Sequence, residues 1–180
     1  MKRAQVHLYY GGGKGKSTAA FGQAVRAWGR GWRVLFVQFL KDARDPSSEV
    51  SAAAALGHRF RLLRAELPVS AINIPGPRGR RLLRAACGGL MTRVLAELGR
   101  RRCDVVVLDE ALVACHLRLL TAADVRRAAR LAGARGARLV ILTGRWAPPA
   151  LLREADLATE LVKVRHPFDK GEKPVHGIDF

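Results

Sequence analysis

The amino-acid sequence predicts an α/β protein built on a mainly parallel sheet of about six strands that is wrapped by helices. Three observations carry this prediction. Short apolar runs alternate with stretches of helical periodicity along the 180 residues. A glycine-rich turn joins the first apolar run to the first helical stretch. The apolar runs are nearly continuous, which is typical of strands that are buried on both faces of a parallel sheet.

The first part of the chain is predicted to form three strands and two helices. The first helix shows apolar side chains at helical spacing, such as Phe21, Val25 and Trp28, and the second strand is rich in Val and Phe. Strand, helix and strand in succession make one right-handed crossover unit. The elements are a strand at 6–10, a helix at 16–30, a strand at 34–40, a helix at 48–56 and a strand at 58–63.

Residues 67–79 are predicted to form a long irregular loop. Pro75, Gly76 and Pro77 lie together in this stretch, and such residues interrupt regular structure. Loops of this length inside a compact domain are usually functional or mobile.

The second part of the chain is predicted to form three helices and three strands. The first of these helices carries one apolar stripe, and Thr121 and Asp124 have the pattern of a capping box at the start of the second. The elements are a helix at 80–101, a strand at 104–110, a helix at 121–131, a strand at 138–143, a helix at 148–155 and a strand at 161–165.

Length and composition favour one domain over residues 1–180, since 49% of the residues are hydrophobic and no composition break divides the chain. We find no secretory signal and no apolar stretch long enough for a membrane span, and we therefore expect a cytoplasmic protein with no membrane partner. The three cysteines form no C-x-x-C pair, so we expect buried reduced thiols at Cys87, Cys103 and Cys115.

The formal net charge of +17 raises the question of a nucleic-acid partner. The basic clusters fall in helical patterns, where they are expected to form solvated faces, and aromatic residues, at 6%, are not interleaved with them. We therefore expect no nucleic-acid partner. We attribute the high net charge to a general excess of arginine, together with alanine, in the composition of the chain.

The glycine-rich turn has the residues that a polyphosphate site requires. Glycines let successive backbone amides approach phosphate oxygens, Lys16 supplies a positive charge, and Ser17 supplies a hydroxyl for Mg²⁺. The usual pattern, G-x-x-x-x-G-K-[ST], needs a glycine where Tyr10 stands, so the loop counted from Gly11 is one residue short. The predicted nucleotide-binding residues are Gly11, Gly12, Gly13, Lys14, Gly15, Lys16, Ser17 and Thr18.

Two strand ends are predicted to complete the site. Asp109 and Glu110 end an apolar strand, where an acid opposite Lys16 and Ser17 can hold Mg²⁺ directly or through water; the alternative is a pair of exposed acids. Arg145 follows the end of another strand, where its guanidinium group can donate two hydrogen bonds to phosphate oxygens. The alternative is that Arg145 only caps a loop. Together with the turn, these features indicate a P-loop NTPase-like, RecA-like fold with three layers.

A phosphate-loop fold alone leaves the reaction open. The segment GGGKGKSTAAFG at 11–22 resembles the GNGKGKTTAAFG segment of the ATP:corrinoid adenosyltransferases of the BtuR/CobO/CobA type. The resemblance covers nearly the whole chain. Further matches are VQFLK at 37–41, VLDE at 107–110, LTGR at 142–145, ADLATEL at 155–161, HPFDKG at 166–171 and GIDF at 177–180.

The resemblance implies that the Co(I) centre of a corrinoid, cobalamin or a cobinamide-type precursor, attacks C5′ of ATP and expels triphosphate. It implies catalytic roles for Lys16, Arg145 and Glu110, with Lys14 and the loop amides also at the triphosphate. Ser17 and Glu110 would bind Mg²⁺, and Asp109 would either be a further ligand or position the direct ligands from behind. A homodimer and an electron-donating reductase partner are implied as well.

This sequence departs from the family pattern at several places. Gly12 replaces a common Asn, and Ser17 replaces a common Thr. Only five residues precede the first strand, where some relatives have a helical arm over the corrinoid, and 67–77 lacks the Phe/Trp pair of those relatives. Residues 67–77 and 166–173 are therefore candidates for the corrinoid contact.

Two other functions remain open from the residues alone. The first is a P-loop ATPase that acts on nucleic acid, which the charge supports and which predicts ADP as product. The second is a nucleotide-binding regulator without catalysis.

Overall fold

Six parallel strands form one sheet in the order β3-β2-β4-β5-β1-β6, so the predicted α/β class and strand number are confirmed. The structure is a computed structural model that describes residues 3–41, 48–65, 76–175 and 177–178. The strands are β1 Gln5–Tyr10, β2 Val34–Gln38, β3 Phe60–Arg64, β4 Val105–Asp109, β5 Leu139–Gly144 and β6 Leu157–Glu160.

Helices cover both faces of the sheet and give three layers. One face packs against α1 and α2, mainly through alanines of α1 that let the helix approach Phe36 and Ile141. The other face packs against α3, α4, α5 and α6 through larger side chains such as Leu83 and Leu90. The helices are α1 Lys16–Gly29, α2 Ser48–Leu56, α3 Gly76–Arg100, α4 Ala111–His116, α5 Ala122–Ala134 and α6 Pro149–Glu154, with a 3₁₀ turn at Pro167–Lys170.

The central strands β2, β4 and β5 are buried along their whole length, which explains their continuous apolar sequences. The capping box at the start of α5 is confirmed, because the Thr121 side chain accepts from the Asp124 N–H at 3.2 Å and the Asp124 carboxylate accepts from the Thr121 N–H at 2.8 Å. The thiols of Cys87 and Cys103 are buried and free, and Cys115 is free and half-buried.

The predicted loop at 67–79 is wrong at its end, since α3 already begins at Gly76. Proline is compatible with the first turn of a helix, because the N–H that it lacks has no partner there, and Pro77 occupies that turn. The rest of this loop prediction covers 67–75, which lies outside the described residues.

The last strand was predicted at 161–165 but lies at Leu157–Glu160. Its backbone pairs with β1, from His7 with Leu157 to Tyr10 with Glu160, while all four of its side chains are exposed. An edge strand that buries no side chain has no apolar signature, and the Val-containing run that follows it forms no strand. Helix α4 was missed because its apolar sequence continues that of β4.

Within the part of the chain that the structure describes, no helix is both long enough and apolar enough to cross a membrane.

Candidate active site

The glycine-rich turn connects β1 to α1 at the carboxyl edge of the sheet, and its shape depends on backbone from two other strands. The Gly11 N–H donates to the carbonyl of Arg145, after β5, at 3.2 Å, and the Gly13 N–H donates to the carbonyl of Leu161, after β6, at 2.7 Å. Gly11 and Gly15 have φ values of 109° and 103°, a region that side chains strongly disfavour. Glycine is therefore required at these two positions.

Close approach of Leu161 sets a second requirement for glycine. A Cβ atom on Gly11 would lie 2.5 Å from the Leu161 carbonyl oxygen, and one on Gly13 would lie 2.8 Å from the same atom. A Cβ atom on Gly12 would have no heavy atom within 4 Å. The turn thus tolerates a side chain at Gly12, the position where the sequence departs from the family pattern.

Lys16 is the first residue of α1, and its side chain folds back over the turn. Its Nζ donates to the carbonyl of Gly13 at 2.5 Å. Burial lowers the pKa of Lys16, the charge of Glu110 opposes this effect, and the charge of Arg145 adds to it. Lys14 and Thr18, also predicted to contact the nucleotide, are exposed at the rim of the turn.

Ser17 lies against Asp109, the first of the two acids that were predicted opposite it. The Ser17 hydroxyl donates to Oδ1 of Asp109 at 2.8 Å, and the Thr143 hydroxyl donates to the same oxygen at 2.6 Å. Asp109 is fully buried, and burial raises its pKa although the two hydroxyl groups stabilise its charge. These three residues join the ends of β4 and β5 to the start of α1.

Glu110 follows β4 with a φ of 61°, which is uncommon for a residue other than glycine. Its N–H donates to the Thr143 hydroxyl oxygen at 2.9 Å, and this bond helps to hold the conformation. Burial, followed by the negative charge of Asp109, raises the pKa of Glu110 to about 7. Backbone strain of this kind is typical of functional sites.

Gln38 and Lys41 also belong to this site, and their positions there were not predicted from the sequence. Gln38 is fully buried, its Nε2 lies 3.5 Å from Oδ2 of Asp109, and its Oε1 has no hydrogen-bond partner in the described chain. Burial raises the pKa values of Asp109 and Glu110, and the positive charge of Lys41 opposes this effect on both groups. The available signal was a glutamine at the end of an otherwise apolar strand.

Arg145 lies at the predicted edge, directly after β5, and is exposed. Its guanidinium carbon lies 5.3 Å from the centre of the Trp146 ring, and that ring stacks on His116 with centroids 4.1 Å apart. The positive charge of Arg145 reaches Lys16, whose pKa it lowers. The structure therefore brings Arg145 to the rim of the site, where its charge acts on Lys16.

The donor atoms fit Mg²⁺. Ser17, Asp109 and Glu110 offer only hydroxyl and carboxylate oxygens, which are the ligands that this ion prefers. Burial raises the pKa values of both carboxyl groups, and a bound cation would relieve the cost of their ionised forms. Among the described ranges, no cluster of three or more His, Cys, Asp or Glu side chains offers an alternative metal site.

The whole sequence matches one protein family. Residues 2–180 match the family described as ATP:corrinoid adenosyltransferase BtuR/CobO/CobP. The chain belongs to this family. The resemblance identified from the sequence motifs is thus confirmed, and the nucleic-acid ATPase is not favoured.

Relatives of this adenosyltransferase match over nearly its full length. Corrinoid adenosyltransferase CobA of Salmonella typhimurium is 34% identical over 179 residues, which cover 99% of this chain and 87% of that protein. Corrinoid adenosyltransferase of Escherichia coli is 33% identical with the same coverage. The enzyme of Pseudomonas aeruginosa is 31% identical over 186 residues, covering 99% and 85% of the two chains.

The raised pKa of Glu110 predicts a pH-dependent stability for the adenosyltransferase without metal or nucleotide. The ordinary value of 4.5 rises to about 7 in the folded protein, so the folded state binds this proton more tightly than the unfolded chain. The free energy of unfolding should therefore fall as pH rises from about 4.5 to about 7. At about pH 8, Glu110→Gln should be more stable than the wild type by about 2 kcal/mol.

Urea unfolding in the presence of a chelator measures this difference. It should vanish below about pH 4.5, where the carboxyl group is protonated in both states. An equal difference at both pH values would contradict the assignment to Glu110.

Proposed function

We propose that this chain transfers the 5′-deoxyadenosyl group of ATP to the Co(I) centre of a corrinoid and releases triphosphate, in adenosylcobalamin biosynthesis or salvage. The observation that carries the proposal is the site at one edge of the sheet: Lys16 and the loop amides lie next to the bonded pair of Ser17 and Asp109. Among the described side chains of this site, no nucleophile is hydrogen-bonded to a histidine base. A reduced corrinoid brings its own nucleophile and needs none.

The proposed step balances without a proton transfer. An electron pair of Co(I) forms the cobalt–carbon bond, the bond between C5′ and the phosphate oxygen breaks, and its electrons leave with the triphosphate. Negative charge grows on that leaving group, so cations fixed in advance lower the barrier. We assign this role to Lys16, Lys14 and Arg145, together with the amides of 11–18 other than those of Gly11 and Gly13, which already donate to backbone carbonyls.

We propose that Ser17, Asp109 and Glu110 hold Mg²⁺, which when bound neutralises part of the triphosphate charge. The protein's own contribution is to fix these oxygens. The hydroxyl groups of Ser17 and Thr143 orient Asp109, and the backbone bond from Glu110 to Thr143 fixes the adjacent carboxylate. Gln38 supports the buried side of Asp109.

The variant Asp109→Asn tests this metal assignment. It keeps the shape and one acceptor oxygen for Ser17 and Thr143, but it removes the charge. We expect the Mg²⁺ concentration for half-maximal activity to rise by about tenfold or more, because a charged ligand is lost. The control is Glu154→Gln, since Glu154 is an exposed carboxylate on α6 that accepts a hydrogen bond from Arg126 outside the site. An unchanged Mg²⁺ dependence for Asp109→Asn would contradict the assignment.

We propose that the corrinoid contacts the segment after β6. Val162, Val164 and Phe168 are 70%, 87% and 70% exposed, an unusual concentration of solvent-facing apolar side chains. Leu161 bonds the glycine-rich turn directly, so this surface begins next to the phosphate site. The segment overlaps 166–173, one of the two stretches predicted from the sequence, while most of 67–77 lies outside the described residues.

The remaining expectations are part of the same proposal. A Co(I) corrinoid requires an electron donor, so we propose a reductase partner. The exposed edge strand β6 favours a homodimer, because an open strand edge can pair with a second copy of the chain. We also propose that residues 1–180 act as one domain, in the cytoplasm.

Identification of the phosphorus-containing product tests the proposed function. The protein is incubated with Mg-ATP and chemically reduced cobalamin, and the products are separated by phosphorus NMR. Triphosphate together with adenosylcobalamin is the expected result. ADP and phosphate, released faster when RNA or DNA is added, would overturn the proposal in favour of the ATPase. No turnover, with ATP still bound, would overturn it in favour of a regulator.

A further inference from the structure

A strongly basic cavity lies at the opposite edge of the sheet from the glycine-rich turn. Its volume is about 810 Å³, and it lies at the amino ends of β2, β3 and β4, beside the end of α3. Of the residues that the structure describes, seven arginines and the two carboxylates Glu97 and Asp104 line it. This excess of positive charge plays no part in the adenosyl transfer proposed above.

The two carboxylates are already occupied by neighbours. Oε1 of Glu97 accepts a hydrogen bond from Arg61 and lies 3.6 Å from Nε of Arg101. Oδ2 of Asp104 accepts from the backbone N–H of Arg33 at 3.0 Å and lies 3.5 Å from Nε of the same residue. These pairs offset part of the charge of Arg33, Arg61 and Arg101. Four other arginines of the cavity remain.

Two of the remaining four arginines lie over tryptophan rings. The guanidinium carbon of Arg59 lies 5.4 Å from the centre of the Trp28 ring, and that of Arg138 lies 4.9 Å from the centre of the Trp32 ring. Stacking of this kind orients a guanidinium group while leaving its N–H donors at the edge. Within the described ranges, neither arginine has a carboxylate partner.

The other two, Arg100 and Arg102, lie at and just beyond the end of α3. Both are exposed, and neither pairs with a carboxylate in the described part of the chain. Four guanidinium groups thus line one cavity with twenty N–H donors among them, counting five for each group. Anions with several oxygens are the ligands that match such a set.

We propose that this cavity binds a short chain of phosphoryl groups, such as inorganic tripolyphosphate. A phosphate chain presents several anionic oxygens in a row, and each arginine can take two of them in bidentate geometry. Single-stranded nucleic acid needs free aromatic faces for its bases, whereas Arg59 and Arg138 already lie over the nearby tryptophans. The observations therefore favour a phosphate chain over a nucleic acid.

This site is independent of the proposed function, but the two have related chemistry. The adenosyl transfer would release triphosphate, which belongs to the proposed ligand class. A longer linear polyphosphate is the other source of the same chemistry. Separate titrations with the two compounds distinguish these sources, and tighter binding of either one supports a phosphate-chain site.

Calorimetric titration at constant ionic strength tests the proposal, with Lys16→Ala as background so that the glycine-rich turn contributes little. Into this background we introduce Arg100→Ala with Arg102→Ala, two exposed positions whose replacement leaves the core intact. We expect the affinity for tripolyphosphate to fall by about tenfold or more. The matched control is Arg80→Ala with Arg127→Ala, which removes the same charge from exposed positions outside the cavity and should change affinity by less than about twofold.

An equal loss in the two double variants would overturn the proposal, because it would reflect net charge and not this cavity. Absence of tripolyphosphate binding in the Lys16→Ala protein would overturn it as well. Tighter binding of a short single-stranded RNA than of tripolyphosphate, lost in the cavity variant, would overturn the ligand class. None of these measurements involves a corrinoid, so their failure leaves the adenosyl transfer untouched.

Discussion

Replacing Lys16 with alanine should lower kcat/KM for adenosyl transfer by about a thousandfold, or about 4 kcal/mol of transition-state stabilisation. Lys16 is the cation that the fold holds directly over the turn, with Nζ bonded to Gly13. Its positive charge is partly desolvated, so it interacts more strongly with a leaving triphosphate than an exposed lysine would. Steady-state kinetics with reduced cobalamin measures the effect.

Lys14 provides the matched control for this prediction. It lies on the same turn and carries the same charge, but its side chain is exposed at the rim. Lys14→Ala should therefore cost about tenfold, since solvent screens the charge. Thermal unfolding confirms that both variants fold. A Lys16→Ala rate equal to that of the wild type would refute the role assigned to this residue.

Replacing Gly11 with alanine should destabilise the protein by about 3 kcal/mol and abolish ATP binding at millimolar concentration. The new Cβ would lie 2.5 Å from the Leu161 carbonyl oxygen, a backbone atom, and the φ of 109° would itself be strained. Both effects push the turn away from β6 and disturb the amides that face the phosphates. Urea unfolding and calorimetric titration with Mg-ATP measure the two losses.

Gly12→Ala is the internal control, one position further along the same turn. Open space surrounds this position, so the free energy of unfolding should change by less than about 0.5 kcal/mol. ATP affinity should also stay close to that of the wild type. If Gly11→Ala and Gly12→Ala behave alike, the turn does not depend on the contact with Leu161.

Much of the fold could be predicted from the sequence because burial leaves a clear pattern. The strands β2, β4 and β5 are buried along their length and consist almost entirely of apolar residues, so each could be located from its composition. β6 carries no such pattern, because it is defined by backbone pairing with β1 and exposes every side chain. For this reason β6, which is held by main-chain hydrogen bonds alone, was predicted a few residues too far along the chain.

The candidate site shows the same division between side-chain and backbone information. The turn and the acids Asp109 and Glu110 were predicted at one site because their chemistry requires particular residue types, whereas the direct bond from Ser17 to Asp109 was not predicted. The contact between Gly13 and Leu161 could not be predicted, since a backbone carbonyl has no residue-specific signal. Gln38 was overlooked because one polar residue in a buried strand does not show which strand end it will face.

The bond between Leu161 and the glycine-rich turn also bears on when the enzyme first becomes competent. In chain order Leu161 comes 161 − 13 = 148 residues after Gly13, so it is synthesised later than the turn. A nascent polypeptide on the ribosome can thus display every residue of the turn and still lack the acceptor for the Gly13 N–H. A growing chain that has not yet reached Leu161 therefore carries the nucleotide motif without the backbone contact that holds Gly13 in place.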